Sequence, residues 1–124
     1  MESIVYSQLS SLPEVNFSPD GKMLIKGRSI PEDASEFYSP LIQFVDELQV
    51  ESAVLDIDLE YFNTASSKKI LDLLRHLDAN NGIKNILVNW HFEEGDDDSV
   101  ETAEIYEESL LRIDFRYHEY AEVA

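Results

Sequence analysis

Three carboxylates, Asp56, Asp58 and Glu60, recur at every second position of one short segment. In an extended chain that period puts all three on one face of a strand. Oxygen ligands so placed can gather a divalent cation and serve a metal-dependent hydrolase. The same pattern suits a solvated sheet face, paired across strands with Lys26 or Arg116. Carboxylates on one strand make a line, whereas a cation needs ligands converging from several directions. The run Asp96-Asp97-Asp98 lacks the spacing and closing Glu of a calcium loop, and reads as favourable charge at a helix N-terminus. His76, His91 and His118 stand far apart and form no helical pair, so no zinc or catalytic constellation emerges. The four glycines are isolated, leaving no phosphate-cradling loop, and there is no Gly-x-Ser-x-Gly elbow. The chain is therefore read as no enzyme, with no cofactor.

The remaining candidate is Tyr61-Phe62-Asn63-Thr64-Ala65-Ser66-Ser67-Lys68-Lys69, where a charged strand runs into a helix. Asn63 or Thr64 suits the N-cap, whose side-chain oxygen takes an orphan backbone N–H. A hydroxyl at this corner is also open to another enzyme's active site. A phosphate on Thr64 would sit at a helix N-terminus, whose free N–H groups and dipole favour anions. It would add about −1.5 to −2 charges beside Asp58 and Glu60. Lys68 lies at i+4 from Thr64, with Lys69 beside it. The fold would survive, but a docking face that uses the corner would be switched off.

The elements that position this corner follow from periodicity. Val15-Asn16-Phe17 reads as a strand entering the turn Ser18-Pro19-Asp20-Gly21, and Lys22 to Gly27 alternates to complete a hairpin. A helical stripe follows at Phe37, Leu41, Phe44, Val45 and Leu48, with Pro40 marking either a kink or the first turn of the true helix. Ser52 to Tyr61 alternates, with Leu55, Ile57, Leu59 and Tyr61 facing opposite to the carboxylates. Ile70, Leu73, Leu74 and Leu77 give the second helix one buried face, which Asn80-Asn81-Gly82 ends in the manner of a left-handed cap. A strand over Ile86–Phe92, a helix from Gly95 to about Ser109 and a strand with Ile113, Phe115 and Tyr117 on one side complete the chain. Each strand has an apolar and a mostly polar side, so the helices should lie mainly on one face. The expected fold is an α/β two-layer sandwich with a mixed sheet of about five strands.

Length and charge bound the function. The 124 residues, 44% hydrophobic and 28% charged, suit a single domain over 1–124. Cysteine is absent, which removes disulfides, thiolate metal sites and a thiol nucleophile. The formal net charge is −17, from 26 acidic against 9 basic residues. Nucleic acid and anionic membrane surfaces need a basic footprint that is missing here. No apolar run approaches the ~20 residues of a bilayer span, and the first residues lack a signal-peptide pattern. A cytoplasmic location is the expectation.

Gly27-Arg28-Ser29-Ile30-Pro31-Glu32-Asp33-Ala34 with Phe37-Tyr38, then Leu59-Glu60-Tyr61-Phe62-Asn63-Thr64-Ala65-Ser66-Ser67-Lys68, then Trp90-His91-Phe92 before an acidic helix, resemble the SiaC family of bacterial regulatory phosphoproteins. That family is similar to the STAS domains of anti-sigma-factor antagonists, and the resemblance covers nearly the whole chain. It implies a partner-switching circuit. A Ser/Thr kinase with a histidine-kinase-like ATPase fold would phosphorylate Thr64, and a PP2C-type phosphatase would remove the phosphate. The unphosphorylated form would bind and activate a diguanylate cyclase, with Asn63, Ser66, Ser67 and Lys68 around the phosphate and partner surface. Biofilm formation, governed by cyclic di-GMP, is the implied output. Ala65 stands where a serine is expected after the threonine, which leaves Ser66 and Ser67 as rival acceptors. The Asp-Ser-x-Gly sequence of sporulation-type antagonists is absent. Against this stand two other classes, the metal-dependent hydrolase at Asp56, Asp58 and Glu60, and a structural module that dimerises through an exposed sheet face.

Overall fold

From residue 22 onward strands and helices alternate, and each helix carries one apolar stripe that must be covered. In the computed structural model, which describes residues 1–122, the order is β1 (Ile4–Tyr6), β2 (Glu14–Phe17), β3 (Lys22–Ser29), α1 (Ala34–Glu47), β4 (Ser52–Phe62), α2 (Thr64–Ala79), β5 (Asn85–Glu93), α3 (Asp97–Glu108) and β6 (Asp114–Tyr120). One six-stranded sheet runs in sequence order from β1 to β6. The β1–β2 and β2–β3 pairs are antiparallel, and β3 to β6 are parallel. Parallel neighbours need crossovers, and right-handed crossovers that all step the same way place α1, α2 and α3 on one face. The strand order never reverses, so the sheet lacks the switch point at which doubly wound folds bind nucleotides.

The expected α/β class is the one observed, with six strands in place of about five. The additional one is β1, whose three residues pair as Ile4↔Phe17, Val5↔Asn16 and Tyr6↔Val15. Ile25, Leu55, Ile57, Val88 and Trp90 from the sheet meet Leu41, Val45, Ile70, Leu73, Leu74 and Leu77 from the helices in the core. Asp56, Asp58 and His91 lie on the opposite, partly solvated face.

Several local expectations are corrected. Pro40 lies on the exposed side of α1, inside a helix continuous over Ala34–Glu47, so no separate first turn exists. In that helix Tyr38 is fully buried, whereas Phe37 is half-buried. The end of α2 is not a left-handed cap. Asn80 has φ −77° and ψ 91°, and only Gly21, Gly27 and Gly95 have positive φ among the described residues. Asn80 instead donates its amide to the carbonyls of Val45 (2.9 Å) and Leu48 (3.0 Å) and accepts from the Gly82 N–H (3.1 Å), tying the loop to the end of α1.

Tyr61, expected on the core face, is 51% exposed. The β3–β4 register runs Gly27↔Leu59 and then Arg28↔Tyr61, so Glu60 is an extra residue in a bulge. The extra residue turns Tyr61 outward, under the Arg28 guanidinium at 5.8 Å, and gives the inward position to Phe62, which meets Trp90 edge-on. Gly27, opposite the bulge, has φ +121°, which L side chains rarely adopt.

Candidate functional site

Where β4 ends, Phe62 is the last strand residue and Thr64 the first of α2, so the whole change of direction falls on Asn63. Asn63 is extended, at φ −80° and ψ 173°, and its Oδ1 accepts the Ser66 N–H at 2.9 Å. This settles the two candidates for the cap in favour of Asn63. The Asn63 N–H donates to the Ser29 carbonyl at 3.1 Å. A helix start leaves four backbone donors without intrahelical partners. With Asn63 and Ser66 satisfied, the N–H groups of Thr64 and Ala65 remain for solvent or an anion. Thr64 itself is exposed, as is Lys68 one turn along, while Lys69 pairs with Asp72 at 3.7 Å.

The neighbouring hydroxyls have other tasks. Ser66 is fully buried; its Oγ donates to the Ser29 carbonyl at 3.0 Å and lies 2.8 Å from Ser29 Oγ. Ser29 Oγ is in turn 2.7 Å from the Tyr38 hydroxyl. One hydrogen per hydroxyl orders the chain: Tyr38 donates to Ser29, Ser29 to Ser66, and Ser66 to the Ser29 carbonyl. Burial pushes the Tyr38 phenol up to about 12, against the opposing pull of its serine partners. Ser67 is half-buried, and its Oγ lies 2.6 Å from the Tyr106 hydroxyl, which donates to the Ser67 carbonyl at 2.8 Å. Burial and bonding thus set the two serines apart from the exposed Thr64. Ser66 is sealed in the core, and Ser67 is engaged by α3. Ser29 and Tyr38 stand in the blocks that carry the family resemblance but had no role assigned from sequence, and Tyr106 was not singled out, whereas Ser66 falls on the same stripe as Ile70, Leu73 and Leu77, which marks it as inward-facing.

The structure does not bring the three carboxylates of β4 together as ligands. Asp56 Oδ1 is held by His91 Nε2 at 2.8 Å, whereas Asp58 stands opposite Lys26 and lines a shallow pocket with Glu60, the extra residue of the bulge. Among the described residues no three His, Cys, Asp or Glu side chains are grouped to hold a metal ion. Arg116, offered as a partner for these carboxylates, instead pairs with Asp114 on its own strand at 2.9 Å. His118 stacks on His91 with ring centroids 5.0 Å apart and meets Asn89 at 2.8 Å, whereas His76 pairs with Asp46 at 2.8 Å. Among the described residues no helix is long and apolar enough to cross a membrane.

Comparison with known proteins bears on this arrangement. A family model described as SiaC family regulatory phosphoprotein matches residues 6–120. An uncharacterised Pseudomonas aeruginosa protein is 29% identical over 92 residues, which are 71% of this chain and 73% of that protein. Apo-SiaC of Pseudomonas aeruginosa superposes with a TM-score of 0.81 at 27% identity, covering 95% of this chain and 99% of the other. The SiaC chain solved in complex with the diguanylate cyclase SiaD, of which it is the activator, superposes at 0.83 with 24% identity, covering 94% and 99%.

Proposed function

The chain belongs to the SiaC family of regulatory phosphoproteins, and from that premise we propose that it is an interaction protein switched at Thr64. The unphosphorylated form binds and activates a diguanylate cyclase, and a phosphate on Thr64 abolishes the contact. The observation that carries this reading is the division of labour among three adjacent hydroxyls. Thr64 is exposed, Ser66 is buried and Ser67 is bonded to Tyr106. A Ser/Thr kinase with a histidine-kinase-like ATPase fold adds the phosphate, and a PP2C-type phosphatase hydrolyses it. The activator role of SiaC towards SiaD supports the choice of effector. The domain itself contributes contacts and no catalysis.

The phosphate acts locally. On a chain whose formal charge is already −17, two further charges alter the distant field little. At contact range the effect is large, because burying a dianion against an apolar or acidic partner surface costs several kcal/mol. The free N–H groups of Thr64 and Ala65 and the Lys68 ammonium hold that dianion where it forms. The helix therefore stays in place while its surface is changed.

The test is cyclase activation by the chain before and after treatment with kinase and ATP. Untreated protein raises the rate of cyclic di-GMP formation, and protein phosphorylated at Thr64 does not. Thr64→Ala activates regardless of kinase treatment. Equal activation by both forms of the parent chain would exclude the switch.

A further inference from the structure

A groove of about 860 Å³ opens beside the β1 edge of the sheet, between residues 5–13 and the start of α1. Its walls are mostly apolar, with Val5 and Leu9 65% and 59% exposed and Tyr6, Ile30 and Phe37 beside them. Isolated exposed apolar residues are ordinary, but clustering is not. Of the seven large apolar residues that stand exposed among the described ones, four (Met1, Val5, Tyr6 and Leu9) fall in the first nine positions. The walls are braced: Tyr6 meets Phe37 edge-on at 5.9 Å, and Phe37 meets Tyr38 at 5.0 Å.

The rim identifies the occupant. Glu32, Asp33 and Glu36 line one side, and no lysine or arginine lines the groove. An incoming segment therefore needs apolar side chains flanked by basic ones. Strand addition has little to work with, because β1 is only three residues long. An amphipathic helix that lays its apolar face into the groove satisfies both conditions. A second copy of the chain is opposed by its −17 charge.

The groove is tied to the Thr64 turn through two buried hydroxyls. Ile30 follows Ser29, and Phe37 precedes Tyr38; Ser29 and Tyr38 are the two hydroxyls that end at Ser66, two residues beyond Thr64. We propose that this groove seats a basic amphipathic helix of the effector, an inference that rests on the effector role proposed above.

Isothermal titration calorimetry of the full chain with the diguanylate cyclase tests it. The Val5→Ser/Leu9→Ser double variant changes only exposed positions, so its thermal unfolding should match the parent. Its affinity should fall by at least about tenfold. Glu32→Gln/Glu36→Gln should slow association and flatten its salt dependence, and Leu111→Ser, 92% exposed before the start of β6, should change nothing. Parent-like binding by the double variant overturns the groove; the switch still stands if Thr64 phosphorylation abolishes that binding. Failure of the unmodified parent to bind any cyclase removes the effector role and the groove together. A parent dimer in sedimentation equilibrium that the double variant abolishes would give the groove to a second copy and overturn the proposal.

Discussion

About 200° of rotation separates Thr64 from Ser66 around an α-helix, so when one hydroxyl faces solvent the other faces the sheet. Ser66 shares its stripe with Ile70, Leu73 and Leu77, and the chain from Tyr38 through Ser29 satisfies its hydroxyl without water. Thr64→Ala should stay folded and lose phosphate incorporation, whereas Ser66→Ala should keep incorporation on Thr64. Ser66→Ala should instead lower stability by about 1–2 kcal/mol, because the buried Ser29 hydroxyl loses its acceptor; urea unfolding reads the difference. The spacing that buries Ile70 also buries Ser66, a signal in the sequence that the reading of Ser66 as a rival acceptor passed over. The His91–Asp56 contact was not legible in the sequence, because it depends on which strands become neighbours. The outward turn of Tyr61 was hidden as well: strict alternation places it inward, and only Gly27, a lone glycine within a strand, hinted at a bulge.

The corner as an element is held by three fastenings: the Asn63 cap, the Ser29 carbonyl that receives both Asn63 N–H and Ser66 Oγ, and the Ser67–Tyr106 bond to α3. Asn63→Ala should cost about 1 kcal/mol in chemical denaturation, since the Ser66 N–H loses its acceptor. The two buried phenols that brace this turn also set an alkaline limit. Burial pushes both Tyr38 and Tyr106 from 10.0 up to about 12, against the lowering effect of their serine hydrogen bonds. Their folded values lie above the unfolded one, so the native state holds protons that the unfolded chain releases. Stability is unaffected below pH 10 and falls as pH rises from 10.0 towards 12. Denaturant midpoints across that range should decline, and Tyr38→Phe should lessen the slope. Helix positions were readable from their stripes; β1 was not, because three residues carry too little alternation to show a period.

For the whole molecule the acidic surplus dominates. A net charge of −17 on 124 residues repels itself in the compact state. Screening shortens from about 30 Å at 0.01 M to about 8 Å at 0.15 M salt, so the melting temperature should rise over that interval, as differential scanning calorimetry can record. A basic partner would respond in the opposite sense and bind more weakly as salt rises. The placement of the helices on one face was readable from one-sided strands, whereas the order of the strands was not, and the groove at the β1 edge was invisible without β1. The account turns on Thr64 as the residue that carries phosphate. Tandem mass spectrometry of phosphopeptides from the protein purified from its own host measures this directly. The phosphate is predicted on Thr64, with Ser66 and Ser67 unmodified. Phosphate on either serine, with Thr64 bare, would contradict it.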